Sequence, residues 1–197
     1  MTKAADKIIV ALDVATKEKA LELVEQLRSE ISFFKIGLQL YTAEGPEIVR
    51  AVLATGAKVW LDLKLYDIPN TVARAVESAS TLGVQMLTIH LSGGSEMIRA
   101  ATTARQNEML LLGVTVLTSS TEQTLREIGI TDVVEDQVLR LAKLGAEAGI
   151  DGVVASMYAS SLVSAWATIR GPGEFRLAAF SSAARSSLSR SRLWLST

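Results

Sequence analysis

The stretch WLDLKLYDIPNT occupies residues 60–71. Read as an extended strand, it sets Trp60, Asp62 and Lys64 on one face and Leu61, Leu63 and Leu65 on the other. The leucine face can pack on helices. The opposite face then carries a carboxylate and an ammonium into the interior of a sheet. Isolated buried charges are costly, whereas opposite charges two residues apart on one face can hold each other ionised. Asp67 lies beyond the strand, just before Ile68 and Pro69. Proline pre-sets the turn and restricts its predecessor, so Asp67 is aimed outward from a stiff loop, toward a ligand or a neighbouring subunit.

Working outward, similar short apolar runs recur: KIIVALD, FFKIGLQ, KVWLDLK, QMLTIHL, MLLLGVTVL and DGVVAS. Amphipathic stretches separate them. Residues 16–30 place Ala20, Leu21, Val24 and Leu27 on one face, with Thr16 as N-cap. Pro46 stands near the start of a second helix and Gly56 just past its end. A third runs from an Asn70 cap to Gly83, and the longest spans residues 131–149 and stops at Gly149. Strand and helix alternating at roughly 25-residue spacing predict an α/β fold with a parallel sheet. No G-x-G-x-x-G follows the first strand, which argues against a dinucleotide-binding open sheet. Asp13, Lys35, Asp62, Lys64, His90 and Thr118 recur at strand C-terminal ends, the rim where (β/α)8 barrels build their sites. The expected fold is therefore a TIM-type (β/α)8 barrel, but an incomplete one, with about six recognisable βα units in residues 1–156 where a full barrel needs eight.

Residues 157–197 change character. They hold ten serines and five arginines, no lysine and one acid, Glu174. EFRLAAF is a candidate seventh strand, whereas SSAARSSLSRSRLWLST reads as a low-complexity tail. A composition shift at one point raises the expectation of an out-of-frame or replaced, disordered C-terminal segment.

The totals narrow the function. With 197 residues, 49% of them apolar, and a net charge of -1, the chain suits one globular domain. Near-neutrality gives no reason to expect nucleic acid or an anionic membrane as partner. The chain has no cysteine, which removes disulfides and thiol chemistry, and a single histidine, His90, which argues against a His-rich metal site. No signal-peptide pattern or membrane-spanning run is legible, so a cytoplasmic protein is expected.

The pattern D-x-K-x-x-D-I-P-N-T, at Asp62, Lys64, Asp67, Ile68, Pro69, Asn70 and Thr71, closely resembles the orotidine 5'-phosphate decarboxylase family. IIVALDVAT with Asp13, FFKIGLQLYTAEGP with Lys35, LTIHLSGG and GVTVLTS with Thr118 resemble the first, second, fourth and fifth strand segments of that family. The resemblance runs from about residue 8 to residue 156. It implies decarboxylation of orotidine 5'-phosphate to uridine 5'-phosphate without metal or cofactor. Lys64 would protonate the carbanion left at pyrimidine C6, and Asp62 would press on the departing carboxylate. Lys35 and Asp13 would hold ribose hydroxyls and Thr118 would lie near the pyrimidine. Asp67, with Ile68 and Thr71 on the same loop, would reach the neighbouring site of a homodimer and complete a Lys35-Asp62-Lys64-Asp67 array. The family's phosphate-gripping segments, a TPGIR-like stretch and a later GR, are not recognisable in residues 157–197, so severe loss of activity is expected.

Blander readings stand beside these. Taken alone, Asp62, Lys64 and Asp67 also fit a structural ion-pair ladder. His90 fits a hydrogen-bonded rim residue, Gly93 and Gly94 fit a tight turn, and Thr118 fits a strand-end cap. Two other functions compete: a magnesium-dependent sugar-phosphate decarboxylase or synthase of the same barrel superfamily, and a non-catalytic remnant.

Overall fold

The computed structural model describes residues 8–156, 176–181 and 193–196. Its order is β1 (Ile8–Ala11), α1 (Lys17–Leu27), β2 (Phe33–Gly37), α2 (Leu38–Glu44), α3 (Glu47–Ala54), β3 (Lys58–Leu65) and α4 (Pro69–Thr81). β4 (Met86–His90), α5 (Gly94–Ala104), β5 (Leu110–Val114), α6 (Glu122–Glu127), α7 (Val134–Glu147), β6 (Gly152–Ser156), β7 (Arg176–Ser181) and β8 (Leu193–Ser196) follow. The strands form a closed barrel in sequence order. β1 to β7 pair in parallel, whereas β8 runs antiparallel to both β7 and β1 and closes the ring.

The six expected strands are all present, with their helices between them. RLAAF of the candidate seventh strand, with Ser181, forms β7. Part of the stretch read as a low-complexity tail is instead strand: LWLS forms β8. Four apolar-biased residues among serines and arginines are too short a run to stand out, and their pairing with β1 and β7 decides the outcome.

Helix ends follow local chemistry. Thr16 caps α1, its hydroxyl accepting from Lys19 N at 3.4 Å. α4 differs from expectation: its cap is Ile68 and Pro69 opens the first turn, so Asn70 lies inside the helix. A proline's fixed φ suits that position, and its missing N–H would have no partner there in any case. Gly83 and Gly149, which end α4 and α7, adopt φ 79° and 89°, where side chains are rarely tolerated.

Two apolar layers result from strand parity. Val10, Phe34, Ile36, Leu61, Leu87, Ile89 and Leu111 face the helices and join one continuous core with Val49, Val76, Ile98 and Leu141. Ile9, Ala11, Trp60, Leu112, Val114 and Val154 fill the barrel interior, with Phe33 and Met86 against them. Trp60, fully buried there, plugs the interior directly below Asp62 on the same strand face. Among the described residues, no helix is long and apolar enough to cross a membrane.

Candidate active site

Three adjacent strands deliver the charged groups. β2 carries Lys35, β3 carries Asp62 and Lys64, and the loop after β1 carries Asp13. Lys35 and Asp62 are almost fully buried at 5% and 3% exposure. Lys35 Nζ lies 3.4 Å from Asp62 Oδ2 and 3.7 Å from Asp13 Oδ1. Lys64 Nζ lies 2.8 Å from the same Asp62 Oδ2. Two ammonium groups thus converge on one carboxylate oxygen. Burial alone would push the Asp62 carboxyl up; the charges of Lys35 and Lys64, with hydrogen bonds from Lys64 and Thr88, outweigh it and hold the group below its ordinary range. Asp62 is therefore ionised at neutral pH, and this answers how a strand tolerates a buried charge.

The shared face of Asp62 and Lys64 is real, but simple alternation does not produce it. Trp60 pairs with Met86 and Leu61 with Leu87, and then Leu65 pairs with Ile89. Four residues on β3 thus match two on β4, and the surplus bulges. Lys64 adopts φ 52° within it, a left-handed backbone unusual for a side-chain-bearing residue. Such strain clusters at functional positions.

Gly37 and Thr88 complete the pocket and were not singled out from the sequence. A Cβ at Gly37 would lie 3.2 Å from Lys35 Nζ, so the glycine leaves room for the ammonium. Thr88, buried on β4, donates from Oγ1 to Asp62 Oδ1 at 2.9 Å. Parity could have found it, since Met86, Thr88 and His90 share the interior face of β4. His90 sits half-buried at the rim, its ring 5.8 Å from that of Tyr66 in an edge contact. Burial, and then the nearby Lys64 charge, lower its pKa, while Asp62 partly opposes them.

The remaining candidates lie outside this cluster. Asp67 is exposed and its Oδ1 accepts from Ile68 N at 2.7 Å. Ile68 and Thr71 are exposed on the same segment, and Thr118 is exposed four residues past the end of β5. Among the described residues there is no group of three or more His, Cys, Asp or Glu side chains able to hold a metal.

A βα barrel whose strand C-terminal ends present an alternating, partly buried set of cations and carboxylates is the architecture of a barrel enzyme. The particular family follows from comparison with known proteins. Residues 6–169 match the model of the Orotidine 5'-phosphate decarboxylase / HUMPS family, and the chain belongs to that family. Orotidine 5'-phosphate decarboxylase of Carboxydothermus hydrogenoformans is 45% identical over 166 residues, covering 81% of this chain and 69% of that protein. The protein of the same name from Syntrophotalea carbinolica is 48% identical over 164 residues, covering 79% and 67%. The chain thus spans about two thirds of the length of these relatives. The crystal structure of orotidine 5'-phosphate decarboxylase from Lactobacillus acidophilus superposes with a TM-score of 0.75 at 32% identity, covering 81% of this chain and 75% of that one.

Proposed function

We propose that this chain removes CO2 from orotidine 5'-phosphate to give uridine 5'-phosphate, a step of pyrimidine nucleotide synthesis, in the cytoplasm. The observation that carries the reading is the convergence of Lys35 and Lys64 on Asp62 inside the barrel mouth. Relatives named for this reaction, at nearly half identity over most of the chain, support it.

In the proposed reaction the bond between pyrimidine C6 and its carboxylate breaks, and the electron pair stays on C6. CO2 departs. Lys64 stabilises the developing carbanion and transfers one ammonium proton to C6, then regains a proton from water. Asp62 faces the substrate carboxylate, and its repulsion falls as CO2 leaves. Lys35 and Asp13 hold ribose hydroxyls, and Thr118 contacts the pyrimidine. Asp67, Ile68 and Thr71 come from the second protomer of a homodimer, which accounts for their exposure on a single chain. No step calls for a metal or cofactor. Residues 157–197 replace the family's phosphate-gripping continuation, so turnover is reduced.

The test is CO2 release from orotidine 5'-phosphate by the purified chain, with and without a metal chelator, beside Lys64→Ala. Chelator-insensitive turnover, weaker than that of the C. hydrogenoformans protein and lost in Lys64→Ala, is expected. No release at all, or release abolished by chelation, would overturn the reading. Turnover equal to that relative would overturn the reduced-activity part alone.

A further inference from the structure

The bulge in β3 breaks the regular register with β4 between Leu61 and Leu65, and the Lys64 N–H lies within that break. A side chain takes over: Lys64 N donates to Thr88 Oγ1 at 2.9 Å. The same hydroxyl donates to Asp62 Oδ1 at 2.9 Å. A hydroxyl has one hydrogen to give. With an N–H donating into its oxygen, that hydrogen is left for the carboxylate, so both directions are fixed. Thr88 is fully buried, and no water competes for either bond. Binding Oδ1 also sets the rotation of the carboxylate, which leaves Oδ2 facing both Lys35 and Lys64.

We propose that Thr88 is a positioning residue of this site: its single hydroxyl locks the left-handed backbone of Lys64 to the orientation of the Asp62 carboxylate. The catalytic part of this inference rests on the decarboxylase reading; the positioning part does not. A group that orients reacting partners controls the rate of the chemical step more than ground-state binding, and a misplacement of about 1 Å can cost about a hundredfold.

The test pairs Thr88→Val, which keeps the shape and loses the hydroxyl, with Thr88→Ser, which keeps the hydroxyl. Two readouts are taken: NMR of the Lys64 amide with the pH titration of the Asp62 carboxyl carbon, and kcat and KM with orotidine 5'-phosphate. Thr88→Val should shift the Lys64 amide resonance and move the Asp62 titration to higher pH, and Thr88→Ser should restore both. For turnover, Thr88→Val should lower kcat about a hundredfold while KM stays within about threefold, again restored by serine. An Asp62 titration and Lys64 amide unchanged in Thr88→Val would overturn the proposal, even if melting temperature fell. A wild-type chain that never releases CO2 would sink the decarboxylase reading, and the NMR arm would still decide the positioning role.

Discussion

Lys64 reaches Asp62 Oδ2 at 2.8 Å from a backbone held at φ 52°. A left-handed conformation costs a residue with a side chain on the order of 1–3 kcal/mol. Glycine carries no such cost. Lys64→Gly is therefore expected to be more stable than Lys64→Ala by about 1 kcal/mol. In an ordinary strand the order would be reversed. Chemical denaturation of the two variants measures it, and an alanine variant that is the more stable would show that the strain is not there. Both variants should lose at least about a thousandfold in turnover, since each removes the proposed proton donor along with one of the two cations facing Asp62.

Asp62 makes stability depend on acid. Its folded pKa lies below the ordinary value of 3.8, because paired charges and hydrogen bonds overcome burial. The unfolded chain therefore binds the proton first as pH falls. The contribution of Asp62 is fully present above the ordinary carboxylate pKa and disappears as pH drops through the folded value. Urea midpoints measured from neutral pH down past about pH 4 should fall more steeply for the wild type than for Asp62→Asn. Parallel slopes for the two proteins would contradict the depressed pKa.

Leu91 is wedged between β5 and α7. A Cβ at Gly113 would lie 2.4 Å from Leu91 Cδ2, and one at Gly145 would lie 2.9 Å from the same atom. Leu91 is fully buried, so it cannot swing out into solvent to make room. Gly113→Ala should cost about 1–3 kcal/mol through overpacking. Combining it with Leu91→Ala should cost less than the sum of the two single changes, because the methyl then occupies part of the vacated volume. Strict additivity in thermal or urea unfolding would refute this contact.

At the opposite end of the barrel, Asp151 Oδ2 accepts from Leu111 N at 2.8 Å and pairs with Arg105. This ties the start of β5 to the turn before β6 and to the segment after α5. Asp151→Ala leaves a part-buried N–H and a guanidinium without that partner, and should destabilise by about 1–3 kcal/mol. Asp13, Lys35, Asp62 and Lys64 lie at the other ends of their strands, so kcat and KM should hold under conditions where the variant is folded. A large fall in kcat with unchanged stability would place Asp151 in a role this geometry does not give it.

Much of this protein was legible in its sequence because periodicity is local. Alternation within residues 58–65 separated the leucine face from the face of Trp60 and Asp62, and the spacing of apolar runs marked six of the strands. Opposite charges two residues apart implied a pair, and the pair exists. The stop glycines Gly83 and Gly149 were readable because left-handed helix ends favour the residue without a side chain. Cross-strand register is not local. Only the pairing of β3 against β4 decided that four residues would face two, that Lys64 would be left-handed, and that its N–H would need Thr88. The antiparallel β8 was hidden for the same reason. A four-residue strand has too little pattern of its own, and its identity comes from the two neighbours that supply its hydrogen bonds. Sequence fixes which side of a strand each residue occupies, whereas register depends on partners many residues away, whose positions only the closed barrel determines.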